Sequence, residues 1–397
     1  MKKLLIANRG EIAIRIGQTA KELGYSTIAV FPEDDANSLH VRQSDESVQI
    51  PGAGAQAYLN IDEIINAATT CAADAVHPGY GFLSENPELA KACEDAGINF
   101  VGPTADQLSI FGNKAGARAL AAELGIPLVP GTNEDTSLAA VIGFQDQHPD
   151  KGVVIKAISG GGGRGMRIVE DRDDIEKSFE RCKSEANLAF GDDRVYVELL
   201  VHRARHIEVQ IVGDGTGGVT HLWERDCSTQ RQNQKIVEVA PSPDMPDSTR
   251  TALLQASVKM ASHASYRGVG TFEFLVNADQ PDEFFFIEAN ARLQVEHTVT
   301  EAITGLDLVA LQLQIAAGKT LDDLGLGEPP ATNGYAIQCR INMETPGKKG
   351  MFKPTGGTIN IFEPPSGPGI RVDTFGYAGY KTSTRYDSLL AKLIVHS

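Results

Sequence analysis

Two glutamates in this chain are spaced to meet across a hairpin. Thr271-Phe-Glu-Phe and Phe286-Ile-Glu288 flank the turn Ala278 to Glu283, and Glu273 and Glu288 lie equally far from its middle. In a symmetric hairpin they face each other. Like charges directly across two strands destabilise a sheet unless something neutralises them, so a divalent cation between the carboxylates is the natural inference, with Asn290 on the same face. The alternative is a pair of exposed strand glutamates with slack register. Carboxylates gathered round Mg²⁺ imply a phosphate-bearing substrate.

A second signal lies upstream. Val153 to Ile158 is strand-like, SGGGGRG (159–165) follows, and Met166 to Val169 reads as a return strand. The glycines therefore join two strands and do not open a helix, which excludes a Walker-type loop with its Gly-Lys-Ser/Thr. Glycines let backbone N–H groups close round a phosphate, with Lys156 and Arg164 supplying positive charge at either end. This reads as a phosphate-covering flap, a plain flexible linker being the bland account.

The run Glu288-Ala-Asn-Ala-Arg292-Leu-Gln-Val-Glu296-His297 leaves its strand with an arginine and a glutamate close together. The arginine could hold a small oxyanion and the glutamate take a proton from it; a structural salt bridge at a helix start is the alternative. ERDCSTQRQNQK (224–235) packs more charges and amides beside the only Trp than a surface loop requires. His206, Glu208 and Gln210 alternate with Ile207, Val209 and Ile211, giving one polar strand face and one core face, a solvated polar face being the bland account. Together these residues describe a Mg-nucleotide enzyme acting on a small anion.

The elements that must position them begin with a strand, Leu4 to Ala7, then Ile12, Ile16, Ala20 and Leu23 at helical spacing, then a strand from Ser26 to Phe31. This unit invites a dinucleotide-binding reading, but its first turn, ANRGE, has one glycine where the pyrophosphate fingerprint needs three. Alternating elements continue to about Gly112, and Leu128 to Asn133 reads as a boundary. A polar helix, Asp173 to Phe190, and a strand, Val195 to Val201, complete a small lid. Antiparallel patterns then dominate: His206 to Val212, Val219 to Arg225, Thr271 to Asn277 and Phe284 to Glu288. A turn-rich stretch, Gly325 to Asn333, separates these from a last β-rich segment.

Composition narrows the class. Against 36 Lys plus Arg stand 52 Asp plus Glu, a net charge of -16 that repels a polyphosphate backbone and argues against nucleic acid as a partner. Cys71, Cys93, Cys182, Cys227 and Cys339 lack the short paired spacings of a zinc site or disulfide framework, as expected of a cytoplasmic protein. The apolar run near the N-terminus is too short for a signal peptide, and no stretch is long or apolar enough to span a membrane.

Six phrases in order resemble the biotin carboxylases: ANRGEIAIR at the start, HPGYGFLSEN (77–86), IKAISGGGGRGM (155–166), ERDCSTQR (224–231), FIEANARLQVEH (286–297) and CRIN (339–342). The resemblance covers essentially the whole chain. It implies an α/β ATP-grasp fold with a Rossmann-like N-terminal domain (1–112), an ATP-grasp domain (113–330) whose lid spans 131–202, and an incomplete, β-rich C-terminal domain (331–397). It places Lys114, Lys156, Gly162, Gly163, Glu198, Leu199, Val201, His206, Gln230 and Asn233 at ATP, and Glu273, Glu288 and Asn290 at Mg²⁺ or Mn²⁺. Lys235, Arg292, Gln294 and Val295 fall where the family holds bicarbonate, Glu296 where its general base sits, and Arg340 where an arginine stabilises the biotin enolate. Tyr80, Gly81 and Glu85 lie in the motif that approaches biotin. Implied partners are a biotin carboxyl carrier, a carboxyltransferase and, for a complete C-terminal lobe, a second copy of the chain.

The sequence departs from its relatives at Gln232, where many carry Arg, at Asn233, where some carry His, and at Val239, where an acidic residue is usual. It also stops at Leu393-Ile-Val-His-Ser397, inside what reads as a strand, from which an exposed sheet edge is expected. A nucleotide-binding but catalytically inactive fragment is therefore the rival reading. Lys259, the only Lys followed by Met, falls in an apparent helix, so the biotin-bearing lysine is expected elsewhere.

Overall fold

The computed structural model describes residues 1–132, 135–158, 165–347 and 352–397. Its first unit is β1 (Lys3–Ile6), α1 (Gly10–Glu22) and β2 (Ser26–Phe31). Ile12, Ile16 and Ala20 are buried on one face of α1, as their spacing requires. Then come α2 (Leu39–Gln43), β3 (Glu46–Gln49), α3 (Ile61–Thr70), β4 (Ala75–His77), α4 (Pro87–Asp95) and β5 (Asn99–Phe100). The five strands form a wholly parallel sheet of order β3-β2-β1-β4-β5. The direction of winding reverses between β1 and β4, and in such sheets the crevice beyond the strands' carboxyl ends at the reversal is where ligands bind. ANRGE leaves β1 at that point and HPGYG leaves β4 there, so topology brings together two motifs seventy residues apart.

α5 (Ala105–Gly112) and α6 (Lys114–Glu123) follow. The Asn113 side chain accepts hydrogen bonds from the N–H groups of Ala115 and Gly116, capping α6 and setting Lys114 at its first position. The stretch expected as a boundary is stitched down on both sides: Leu128 bridges Phe286 and Gly131 bridges Glu198. A Cβ at Gly131 would lie 2.4 Å from the Val197 carbonyl, so only glycine allows that approach.

After α7 (Leu138–Asp146), β6 (Val153–Ala157), β7 (Met166–Val169), α8 (Ile175–Phe190) and β8 (Val195–Leu199) build an antiparallel sheet of order β7-β6-β8. The elements expected here are present. The helix starts at Ile175 because a 3₁₀ turn, Arg172–Asp174, precedes it, and β6 and β8 end slightly early. Gly162, Gly163 and Arg164 of the glycine run lie outside the described residues.

The remaining chain forms β9 (Ala204–Asp214), β10 (Val219–Arg231), β11 (Gln234–Ala240), α9 (Asp247–His263), β12 (Arg267–Asn277), β13 (Phe284–Asn290), α10 (His297–Thr304), α11 (Leu308–Ala316) and β14 (Ala336–Asn342). Then follow β15 (Glu344–Pro346), β16 (Phe352–Pro354), β17 (Gly357–Thr358), β18 (Ile370–Thr374), β19 (Lys381–Thr382) and β20 (Leu389–His396). Eight of these strands make one sheet, β13-β12-β9-β10-β11-β14-β20-β18. The turn-rich stretch therefore separates the last β segment in sequence but not in space, since β14 hydrogen-bonds to β11. Nor is the last strand an edge: β20 is paired on both sides, with β14 and β18.

On one face of this sheet Ile207, Val209 and Ile211 pack with Phe272, Phe274 and Phe286 in the main core. Lys259 is on the exposed face of α9, its ammonium donating to the Leu124 carbonyl. All five cysteines are free. No single helix among the described residues is long and apolar enough to cross a membrane.

Candidate functional site

The opposite face of the eight-stranded sheet is polar and largely buried, which rules out the bland account of a solvated face for His206, Glu208 and Gln210. Glu208 and Gln210 have no exposed surface and His206 is only partly exposed. The loop from β13 to α10 and the adjoining strands cover them, and alternation reveals a strand's faces without revealing what lies over them.

Lys235 is the hub. It stands on β11 just past the turn Gln232-Asn233, whose two positive φ angles, 51° and 63°, make the tight two-residue hairpin joining β10 to β11. Its ammonium is 2.5 Å from Glu208, 2.8 Å from Glu273 and 2.9 Å from Glu296. Burial opposes the charge on Lys235, but the three carboxylates outweigh it and hold its pKa well above the ordinary lysine value. Burial likewise disfavours the charge on Glu273, yet Lys235 and His206 keep it well below the usual carboxylate range. At Glu296, Lys235, Arg340 and Arg225 overcome burial in the same way.

Arg340, on β14, reaches Glu296 at 3.0 Å and Glu238 at 2.6 Å. Burial wins at Glu238, whose pKa is raised despite Arg340. Arg292 pairs with Glu85 at 2.8 Å and donates to Asn290 Oδ1 and Gln294 Oε1 at 2.9 and 3.1 Å. The simple Arg292–Glu296 salt bridge weighed from the sequence is therefore replaced: the arginine takes Glu85 from the biotin-type motif, and Glu296 takes Lys235 and Arg340.

Glu273 and Glu288 are register partners in the β12–β13 ladder, as the hairpin argument requires. Each carboxylate faces cations: Glu273 is held by Lys235 and by His206 at 2.7 Å, Glu288 by Lys114 at 3.0 Å. Asn290 Nδ2 donates to Glu273 at 2.9 Å, and Gln294 Nε2 reaches the same oxygen at 3.4 Å. His206, Glu208 and Glu273 have ligand atoms within 4.8 Å of one another. That group shares only Glu273 with the expected set of Glu273, Glu288 and Asn290, whose two carboxylates and amide oxygen are the donor types a hard divalent cation such as Mg²⁺ takes. Gln230 Nε2 lies 3.1 Å from His206 Nδ1, while Asn233 is exposed at the hairpin tip.

The nucleotide-type residues of the small sheet form their own cluster. Lys156 on β6 is ion-paired with Glu198 on β8, whose buried carboxylate also meets Arg118 at 2.6 Å. Leu199 is buried beside it and Val201 lies just past the end of β8.

Tyr80 donates to Glu11, and Gly81 follows with φ of 67°. Asn8 Nδ2 donates to the carbonyls of Pro78 and Tyr80 at 2.7 and 2.8 Å, and a Cβ on Gly79 would lie 2.9 Å from that nitrogen. The ANRGE turn thus grips the HPGYG turn directly.

Sequence reasoning missed four charged residues in or next to this site: Arg225, Glu238, Glu11 and Lys392. Arg225 has no exposed surface and donates to Glu208, Gln210, Thr300 and Thr271, locking β9, β10, β12 and α10 together beneath Lys235. Its signal was its place on an otherwise alternating strand, which becomes informative only once β9 is known to be its neighbour.

Comparison with known proteins gives a consistent result. Residues 1–108 match the family described as biotin carboxylase, N-terminal domain; 113–324 match the carbamoyl-phosphate synthase L chain, ATP binding domain; and 338–397 match the biotin carboxylase C-terminal domain. Pyruvate carboxylase 1 of Caenorhabditis elegans is 48% identical over 99% of this chain and 33% of its own length. The chain thus spans about a third of the length of the curated relatives it matches. Among solved structures, the biotin carboxylase–β-γ-ATP complex from Campylobacter jejuni has a TM-score of 0.93 at 40% identity, covering all of this chain and 87% of that one. The biotin carboxylase domain of Hydrogenobacter thermophilus 2-oxoglutarate carboxylase, bound to MgADP, ADP and bicarbonate, has a TM-score of 0.92 at 41% identity, with coverage of 100% and 86%.

Proposed function

The chain belongs to the biotin carboxylase family, ADP-forming ligases that use ATP, Mg²⁺ and bicarbonate to carboxylate biotin, and we propose how its own residues divide that work. The observation that carries the reading is the meeting of half-buried Lys235 and Arg340 on the fully buried carboxylate of Glu296. That meeting also favours turnover over the inactive-fragment alternative.

Lys235 and Arg292, with Gln294 and the Val295 backbone, hold bicarbonate, and Glu296 takes its proton. The freed oxygen attacks the γ-phosphorus of ATP, ADP leaves, and carboxyphosphate forms. Lys114 and Lys156 neutralise the phosphates, and Glu198 to Val201, His206, Gln230 and Asn233 line the nucleotide. Glu273, Glu288 and Asn290 would hold the divalent ion, Mg²⁺ or Mn²⁺, which supplies further neutralisation of phosphate charge. Carboxyphosphate splits to CO₂ and phosphate, the phosphate takes the ureido proton of biotin, and Arg340 stabilises the enolate whose nitrogen attacks CO₂. Tyr80, Gly81 and Glu85 border the biotin approach.

The biotin is borne on a carrier domain, and a carboxyltransferase consumes the product; both are proposed partners, and the relatives' multidomain character supports them. We also propose the division into 1–112, 113–330 and 331–397, a homodimer where the C-terminal lobe is complete, and residence in a reducing compartment such as the cytoplasm. The test is ADP release by this chain with MgATP and bicarbonate, with and without free biotin. Biotin-stimulated release is expected; ATP binding without it would favour the inactive module.

A further inference from the structure

One buried lysine has no part in the chemistry above. Lys392, on β20, has no exposed surface, although a lysine leaves water at a large desolvation cost. It is directly opposite Arg340 across the β14–β20 ladder and opposite Asp373 across β18–β20, so three charged residues stand in one row. Two cations side by side repel. Arg340 is balanced by Glu238 and Glu296, and Lys392 by Glu11 at 3.1 Å and Asp373 at 3.7 Å.

The third group on the Lys392 ammonium is the Val295 carbonyl, at 3.1 Å. This completes a series along one loop. Arg292 Nη1 donates to the Leu293 carbonyl at 3.2 Å, and the His297 ring pairs through Nδ1 with the Gln294 carbonyl at 2.7 Å. Three successive carbonyls are therefore pinned by three side chains, of which only Lys392 comes from a distant element. The Val295 C=O and the Glu296 N–H belong to one planar trans peptide and point opposite ways. Fixing the carbonyl fixes the direction of the N–H and the starting point of the Glu296 side chain. Glu11, the carboxylate on Lys392, also accepts from Tyr80 in the HPGYG turn.

We propose that Lys392 is a positioning residue for bicarbonate: it anchors the Val295–Glu296 peptide and, through Glu11, ties that loop to the turn that approaches biotin. The proposal rests on the biotin carboxylase reading above. It accounts for a cation kept at a fully enclosed position where an apolar side chain would fill the same space. It also gives Glu11, inside the ANRGE phrase, a role in joining the N-terminal sheet to the eight-stranded one.

The test is steady-state ADP release with MgATP, bicarbonate and free biotin for the unaltered chain, Lys392→Met and Lys392→Arg. Methionine keeps the length and loses the hydrogen bond to the Val295 carbonyl together with the ion pairs to Glu11 and Asp373; the first loss alone should raise the KM for bicarbonate about tenfold or more. The KM for MgATP should stay unchanged, and arginine should recover part of the loss. A residue that merely holds the fold would lower the melting temperature and the active fraction while leaving the KM for bicarbonate alone, and a KM within about twofold of the unaltered chain overturns the proposal. Should Lys392→Met fail to fold by circular dichroism, Glu11→Gln tests the same chain of contacts from α1. There, a raised KM for bicarbonate supports the proposal and an unmoved one overturns it. No biotin stimulation in the unaltered chain would overturn the functional reading and this one with it, whereas intact stimulation with an unmoved KM overturns this one alone.

Discussion

Replacing Glu296 by Gln should separate catalysis from stability. The carboxylate accepts from Lys235 on one oxygen at 2.9 Å and from Arg340 on the other at 3.0 Å. Glutamine keeps one acceptor and turns an amide N–H₂ toward the other cation, so one charge-assisted hydrogen bond is lost. Neither cation is orphaned, because Lys235 retains Glu208 and Glu273 and Arg340 retains Glu238. The loss therefore belongs at the low end of the range for such bonds, about 1.5 kcal/mol. Unfolding entropy of roughly 2.1 cal/mol/K per residue over 397 residues is about 0.8 kcal/mol/K, so the melt should fall by about 2 °C. Removing a general base costs about 100- to 10,000-fold in rate. The assay is biotin-stimulated ADP release beside a thermal melt. Turnover within about tenfold of the unaltered chain would refute Glu296 as the base, and a melt lowered by about 10 °C or more would refute the claim that its cations remain satisfied.

Arg225→Met, which strands Glu208, Gln210 and two threonines without their common donor, should cost about 3–5 kcal/mol, or about 4–6 °C; a melt within about 1 °C would show that the buried guanidinium contributes nothing. Acid should weaken the fold through its buried neutral histidines: burial pushes His40 down to about 4 and His77 to about 3. The unfolded chain then binds more protons below an ordinary histidine pKa of about 6.5, so the stability these sites contribute is full above that pH and declines as pH falls, by about 2 kcal/mol each at pH 5. Melts from pH 7 to 5 should show that decline and a shallower slope in His40→Gln; equal slopes would sink the assignment.

Local pattern carried the hairpin of Glu273 and Glu288, because a symmetric turn fixes register and register fixes which residues meet. The same kind of reading located β2 and β7 to the residue. It failed where meaning depends on a distant strand. Glu208 looked solvated because alternation on β9 is silent about the loop that covers it. Arg225 and Glu238 gained partners only when β10 met β9 and β11 met β14. Lys392 sat in what read as a severed strand, yet β20 lies between β14 and β18, where its side chain closes a row with Arg340 and Asp373. Each of these errors concerns burial of charge, which depends on contacts between strands far apart in sequence.

The density of ions also bears on how the proposed base works. A carboxylate held far below its ordinary pKa by Lys235, Arg340 and Arg225 is a weak proton acceptor. On the proposed reading, bicarbonate enters by exchange: to sit on Lys235 it displaces a carboxylate already there. Glu296 is the one that adjoins Gln294 and Val295 of the proposed bicarbonate site, and on leaving Lys235 it stays tied to Arg340, as Glu208 is to Arg225 and Glu273 to His206. A Glu296 released from Lys235 loses part of the positive field that depressed its pKa, and becomes more basic as the proton it must take arrives beside it. Glu296→Gln removes this coupling together with the base, whereas Arg225→Met keeps the base and removes what holds Glu208 back. Glu208 should then compete with Glu296 for the same exchange, so the arginine variant should raise the KM for bicarbonate as well as lower the melt.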